Sequence, residues 1–410
     1  MNEKGINREI SLKRAEELKL TIESYLKESK FIKTGFDNAE RSEKQKQKIL
    51  KILNATDEEW NDWKWQLKNS INDVKILEKI IDLTEEEKSN IKKVEKKYRW
   101  SVSPYYLSLM DFSNTSCPIR MQSIPQIQEL DCCGELDPMC EEYTSPVEGI
   151  TRRYPDRLII NITNHCATFC RHCQRRRNIG SEDVNLSKEK LEGCFEYIRN
   201  NSEIRDVLIT GGDALCISDN MLIWILTELR KINTVEIIRI GTRTLVTLPQ
   251  RITDELCEKL QMFHPLYINT QFNSAAEITQ EARIACDKLI KAGIPLGNQS
   301  VLLKGINDDS NKLKKLNQQL LMTRVKPYYI FHPKNVIGTR HFYVRIDEGI
   351  KIIEKLRGQT SGLANPTYIL NTPNGKGKVP LQSNYIFSIN GNHLRIKTWE
   401  GNVIEYTELR

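Results

Sequence analysis

The sequence predicts an α/β protein built on an open, partial (β/α)6 barrel, and two observations predict it. Six short apolar runs alternate with helical stretches between residues 158 and 331, the pattern of a parallel sheet with helical crossovers. Each of the first five runs ends in polar or glycine-rich residues, which places chemistry at the C-terminal mouth of such a barrel.

The strands are expected at 158–162, 207–210, 235–240, 266–271, 295–302 and 326–331. Helices are expected between them at 187–199, 219–231, 252–262, 278–292 and 310–322, where apolar residues recur at helical spacing. The polar strand ends read Asn164-His165-Cys166, Thr210-Gly211-Gly212-Asp213, Gly241-Thr242-Arg243, Asn269 to Asn273, and Gly297-Asn298-Gln299.

Residues 1–150 are read as a helical extension and connector, 151–331 as the barrel, and 332–410 as a C-terminal region. The first 50 residues are rich in Lys and Glu, with Ala15, Leu18, Ile22, Tyr25 and Leu26 at helical spacing, so they predict a surface helix. Thr84 and Glu87 form a capping box that opens a further helix. Trp60, Trp63 and Trp65 suit packing. Five prolines between 118 and 155 break the stretch 112–156 into an irregular connector. The tail from 361 holds a turn-rich loop, Pro373 to Lys378, and hairpin-like strands around Asn390-Gly391.

At 410 residues and 39% hydrophobic the chain can bury a large core, as an enzyme would. The net charge of +7 is the small difference between 61 basic and 54 acidic residues, so charge gives no argument for nucleic acid. No stretch approaches the roughly 18 apolar residues of a membrane helix, and the first residues lack a secretory apolar core, so a soluble, cytoplasmic protein is expected. The 11 cysteines then read as thiols or metal ligands, with Cys194, Cys257 and Cys286 in amphipathic stretches as packing residues.

Cys166, Cys170 and Cys173 stand apart. Their C-x3-C-x2-C spacing puts three thiolates on one loop, enough to hold three irons of a four-iron, four-sulfur (4Fe-4S) cluster and leave the fourth open. Zinc is the competing ligand, with His165 or His172 as the fourth donor that a structural zinc site requires.

The stretch NHCATFCRHCQRRR resembles the cluster loop of the lysine 2,3-aminomutase family of radical S-adenosylmethionine enzymes. Further matches follow in family order: DEEWNDWKWQLKN, SPVEGITRRYPDR, VLITGGDAL, IRIGTRTLVTLPQRIT, GNQSVLLKGIND and LRGQTSG, together spanning about residues 57 to 408. The resemblance implies a radical aminomutase that uses the cluster, S-adenosylmethionine and pyridoxal 5'-phosphate, with a C-terminal region for pyridoxal phosphate and substrate. It also implies an electron donor such as ferredoxin or flavodoxin, and a homo-oligomer.

Residue by residue, Gly211, Gly212 and Asp213 match the motif implied to hold the methionine amino group, against the bland reading of a Gly-Gly-Asp turn. Gln299 and His172 match other positions on the S-adenosylmethionine side. Lys378 matches the lysine that carries pyridoxal phosphate, with Lys376 as its competitor, in a loop where Asn374 and Lys376 replace expected glycines. Arg153, Tyr154 and Arg157 match the phosphate-binding residues, and Arg175 the guanidinium for the substrate α-carboxylate. Out of context these would read as a basic surface turn and a nucleic-acid patch.

Two departures bear on substrate. Where lysine-specific members are implied to use two aspartates for the distal ammonium, this chain has Lys334 and Asn371. That converts a site for a cation into one for an anion, so an acidic amino acid is expected, glutamate being closest to lysine in reach. The product would be β-glutamate. A third departure is Asp309 in place of a family cysteine, with no cysteine after Cys286, so no intersubunit zinc site is expected. Rival readings are turnover of lysine or another amino acid, radical modification of a protein or RNA, and an electron carrier with a fully cysteine-ligated cluster.

Overall fold

The computed structural model describes residues 3–409, and side chains from residue 7. Its centre is one nine-stranded sheet in sequential order: β1 (Ile150–Thr151), β2 (Arg157–Asn161), β3 (Asp206–Thr210), β4 (Ile237–Gly241), β5 (Leu266–Thr270), β6 (Leu296–Val301), β7 (Lys326–Phe331), β8 (Thr367–Asn371) and β9 (Lys378–Pro380). Strands β2 to β8 run parallel, and the edge strands β1 and β9 are antiparallel. The six predicted strands are all present to within a few residues, and the curled sheet is the expected open barrel.

Alternation along the strands sorts the two faces. Leu158, Ile160, Val207, Ile209, Ile238 and Ile240 are buried in the main core. Their neighbours Arg157, Leu208, Thr210, Arg239 and Gly241 line the concave side instead, because side chains one residue apart point to opposite faces. The crossover helices complete the core: Lys188–Arg199 buries Leu191, Cys194, Phe195 and Ile198, and Asp219–Arg230 buries Leu222, Ile225, Leu226 and Leu229. Ser187, Ser218 and Thr279 each cap a helix by accepting a backbone N–H. Asp309, at the position of the family cysteine, caps helix Ser310–Met322 by accepting from the N–H groups of Asn311 and Lys312. Burial raises the thiols of Cys194 and Cys286 to about 12 and that of Cys257 to about 11, as packing cysteines require.

The N-terminal helix Glu3–Glu28 lies largely exposed, with Tyr25 as its buried anchor donating to Gln318 at 2.5 Å. The capping box at Thr84 forms at both ends, and Trp60 is buried against Trp65. The tail closes with a three-stranded sheet of β10 (Ile386–Asn390), β11 (His393–Lys397) and β12 (Val403–Thr407), whose first hairpin turns after Asn390. Strand β8 was not expected. It belongs to the barrel sheet, so the region after residue 332 is joined to the barrel by main-chain hydrogen bonds.

The connector is irregular as expected, yet it carries a deeply buried acid beside the cluster loop. Glu129 is fully buried and accepts from Arg171 Nε at 3.0 and 3.1 Å, from Arg171 Nη2 at 2.6 Å, and from Arg176 Nη2. Burial alone would raise its carboxyl, but the two guanidiniums more than reverse that and hold it below the usual range. Exchanging Glu129 for Gln leaves two buried guanidiniums without their shared anion. Urea unfolding of Glu129→Gln should show a loss of about 3–5 kcal/mol with an unchanged m-value; a loss below about 1 kcal/mol would show that the clamp is dispensable.

Candidate active site

The cluster loop leaves β2 and is tied to the N-terminal region by Phe169 N–H to Ser101 O (3.0 Å) and Arg171 N–H to Gln122 O (2.8 Å). Glycines let the next loop lie on top of it. A Cβ on Gly211 would stand 2.2 Å from Thr163 O, and one on Gly212 would stand 2.4 Å from His165 O. The close approach expected of these glycines is therefore made to the cluster loop backbone.

Every site residue expected from the sequence lines one open cavity of about 340 Å³ at the C-terminal mouth of the barrel. The three cysteines, His172 and Arg175 come from the cluster loop. Gly211, Gly212, Asp213 and Gln299 come from the strand ends, Arg153, Tyr154 and Arg157 from the entry to β2, and Lys334, Asn371 and Lys378 from the last strands and loops. Lys376 is not part of the lining.

Asp213 also lines the cavity, and its carboxylate already has protein partners. Its Oδ1 accepts from Thr242 Oγ1 (2.6 Å) and Leu215 N–H (3.1 Å), and its Oδ2 from Arg243 N–H (2.6 Å). A carboxylate so engaged ties β3 to β4 and is fixed in place, with about one acceptor site left for a ligand.

Arg243, noted in the sequence only as part of a polar strand end, is buried between Glu277 (2.8 Å), Gln122 (2.6 Å) and Tyr106 (3.1 Å), and its Nη1 donates to Cys170 Sγ at 2.7 Å. A guanidinium there favours the thiolate that an iron requires. His172 is held neutral by burial, then by Arg243, and its Nε2 meets the Gln271 amide at 3.1 Å. Its Nδ1 has no partner, and neither do the buried Arg153 Nε, Asn269 Nδ2 and Thr270 Oγ1. All four belong to residues lining the cavity, which marks it as shaped for a polar ligand.

At the other side Lys378 opens β9 in register with Asn371. The intervening turn is closed by Thr372, which donates through both N–H and Oγ1 to Gly377 O at 2.9 Å. Asn374 takes φ 59° there, a left-handed conformation that Asn tolerates better than most residues, so the missing glycine costs the loop little. Lys378 is reached by solvent through the open mouth, but its ammonium sits 5.0 Å from the Tyr329 ring and 5.4 Å from that of Phe331. Desolvation there, followed by Arg239, Arg157 and Arg153, lowers it to about 8. Arg239 was missed by sequence reading; the signal was a charged residue on the concave face of an otherwise apolar strand. It is paired with Asp206 at 2.7 Å.

These residues fit three groups. The thiols suit a cluster, the unpartnered polar atoms around His172 and Asn269 suit a polar cosubstrate, and Lys378 among Arg153, Arg157 and Arg239 suits a phosphorylated aldehyde. Among the described residues no three His, Cys, Asp or Glu side chains are placed to hold one metal ion together, whereas a cube takes one thiolate at each of three irons.

Comparison with known proteins agrees. The radical SAM superfamily model matches residues 160–316, and the model described as lysine-2,3-aminomutase matches residues 353–410. The chain is 56% identical over 97% of its length to a glutamate 2,3-aminomutase of Clostridioides difficile, covering 94% of that protein. The chain belongs to the lysine 2,3-aminomutase family. It is 48% identical to an L-lysine 2,3-aminomutase of Fusobacterium nucleatum, covering 87% of this chain and 84% of that one. To the L-lysine 2,3-aminomutase of Clostridium subterminale it is 46% identical over 86% of each chain. It is thus a radical S-adenosylmethionine enzyme and an isomerase. Its radical core calls for a 4Fe-4S cluster with S-adenosylmethionine, and the family is pyridoxal phosphate dependent. No described helix is long and apolar enough to cross a membrane.

Cys216 is the nearby thiol that a fully cysteine-ligated cluster would recruit, but it is buried and packs with Ala167 and Leu248. In anaerobically reconstituted protein, Cys216→Ala should keep full iron and sulfide content while Ala at 166, 170 or 173 loses the cluster's visible absorbance. Cluster loss in Cys216→Ala would make it a fourth ligand and overturn the open-iron site.

Proposed function

We propose that the enzyme moves the amino group of L-glutamate from C2 to C3, giving β-glutamate. The observation that carries this is an underneutralised cation. Lys334 lines the cavity with its Nζ on Gln174 Oε1, and desolvation, then Arg175 and Arg153, lower it to about 7, with Glu141 as the opposing anion. Two cations, Arg175 and Lys334, therefore influence the same part of the cavity, and a substrate with two carboxylates brings an anion to each. The distal ammonium of lysine would instead meet Lys334. Asn371, facing the same cavity, adds an amide donor.

In this reading Cys166, Cys170 and Cys173 hold the cluster, with Gly211, Gly212, Gln299 and His172 beside S-adenosylmethionine. Lys378 attaches the aldehyde of pyridoxal phosphate, and Arg153, Tyr154 and Arg157 hold its phosphate. Arg157 stacks on the Tyr154 ring at 4.0 Å, which fixes the direction of its fork. When bound, the cluster and S-adenosylmethionine supply hydrogen-atom abstraction, and pyridoxal phosphate supplies the π-system across which the nitrogen moves. Arg175, Lys334 and Asn371 restrain both ends of the substrate, so that one C3 hydrogen is presented. An amine held at about 8 is substantially neutral near pH 8, so Lys378 is a competent nucleophile where an ordinary lysine is not. A low-potential electron donor of the ferredoxin or flavodoxin class would deliver the electron.

NMR of anaerobic incubations with glutamate, lysine and aspartate should show turnover of glutamate; turnover of lysine alone would refute the assignment. Removing the Lys334 charge and its bond to the substrate, as in Lys334→Met, should raise KM for glutamate roughly 10- to 100-fold. Because deprotonation exposes the nucleophile, attachment of pyridoxal phosphate to the apoprotein should accelerate as pH rises through about 8. Borohydride should trap the adduct in the wild type and not in Lys378→Arg.

A further inference from the structure

The loop from Pro138 to Thr144 borders the cavity through Met139 and is tethered at several points. Asn374 N–H donates to Pro138 O at 3.3 Å, Cys140 Sγ donates to Asn374 Oδ1 at 3.2 Å, and Arg152 N–H donates to Thr144 O at 2.8 Å. Cys140 itself is left-handed at φ 49°, and this turn precedes Glu141. The Glu141 side chain is 9% exposed.

It accepts from Arg153 Nη2 at 2.9 Å, from Arg175 Nε at 3.1 Å to both oxygens, and from Arg175 Nη2 at 3.0 Å. These two arginines reach it from separate parts of the chain, one from the entry to β2 and one from the cluster loop. Arg177 lies further off at 3.7 Å and has its own partners in Asp137 at 3.1 Å and Glu142 at 3.2 Å. Each of the two arginines keeps N–H groups for a ligand, and Arg153 Nε is buried without a partner.

We propose that Glu141 is a positioning residue that locks Arg153 and Arg175 into one rigid unit, so that a single carboxylate sets both the cofactor-phosphate end and the substrate-carboxylate end of the site. This rests on the reading of those two arginines given above. A carboxylate in this place has a second effect. Desolvation, then the cations Arg175, Arg153 and Lys378, lower Lys334, and Glu141 is the anion that opposes them, so without Glu141 Lys334 would lose its proton at lower pH. Burial would raise the carboxyl of Glu141, but Arg175 and Arg153 bring it to about 2, so it stays charged across the working range. Substrate carboxylates share its chemistry, which raises the alternative that Glu141 merely stands in for them. The tethers argue against it, because the loop would have to leave with the side chain, or leave a buried carboxylate stripped of its partners.

The test uses full-length protein carrying its cluster, as wild type, Glu141→Gln and Glu141→Asp. Pyridoxal phosphate binding is followed by absorbance, and glutamate binding by calorimetry between pH 6 and 9. For Glu141→Gln both dissociation constants should rise about tenfold or more, the loss expected when a charge-assisted network is cut. The limb on which glutamate affinity falls with rising pH should move to lower pH, a displacement that loosened packing would not produce. Glu141→Asp keeps the charge, so its limb should stay at the wild-type position while affinity falls, and it serves if the Gln variant does not fold. Unchanged binding, weakening at one end alone, or tighter glutamate binding by Glu141→Gln would each overturn the proposal. Wild-type protein that binds neither ligand would overturn the reading of the site itself.

Discussion

The buried ion triad of Glu129 with Arg171 and Arg176 is the constraint on which the rest of the site depends. Arg171 follows Cys170 in sequence and Arg176 lies three residues beyond Cys173, so one carboxylate grips the cysteine loop on both sides of its last ligand. Arg176 extends the clamp, with Nη1 donating to Gly338 O at 2.9 Å and its guanidinium 3.9 Å from the Tyr98 ring. The loop that follows β7, and with it Lys334, is thereby held against the cluster loop. Glu135 adds main-chain bonds to the same loop, donating to Asn335 O at 2.9 Å and accepting from Ile337 N–H at 3.0 Å. A connector that looks like a mere wrapping thus fixes where the two halves of the site meet.

Charge organises the cavity from there. Around Lys378, desolvation and then Arg239, Arg157 and Arg153 make the lysine lose its proton easily, with Asp206 as the opposing acid. On the substrate side Arg175 and Lys334 share Glu141. Both regions carry more positive than negative charge in a partly desolvated space. Anionic ligands would relieve that excess, which is the physical basis for proposing a phosphate and a dicarboxylate here.

Much of this was legible in the chain. The six strands showed as apolar runs because alternate residues bury against helices, and the helices showed because Leu191, Cys194, Phe195 and Ile198 repeat at the spacing of one helix face. Strand β8 escaped because Tyr368, Ile369 and Leu370 form a run too short to stand out in a turn-rich tail; its pairing with β7 defines it. Lys378 was preferred over Lys376 by resemblance, and the turn geometry supplies the reason, since Gly377 at φ 102° separates the two lysines and only Lys378 lines the cavity. Asp213 lines the cavity as expected, and its carboxylate is also held by Thr242 and Arg243 from the next strand end, partners that no local motif reveals.

The sequence alone pointed to the cofactor chemistry, and it carries the two replacements on which the proposal of an acidic substrate rests. A cluster's thiolates come from one short loop, and Lys334 and Asn371 are single replacements at positions that the flanking motifs identify. Only the tertiary structure decided which charges act on which. Glu129 meets Arg171, Glu141 meets Arg153 and Arg175, and Arg243 meets Cys170 across separations of 12 to 73 residues. Electrostatic forces act through space, and in a desolvated barrel mouth their strength is set by where the strands bring each group, whatever its place along the chain.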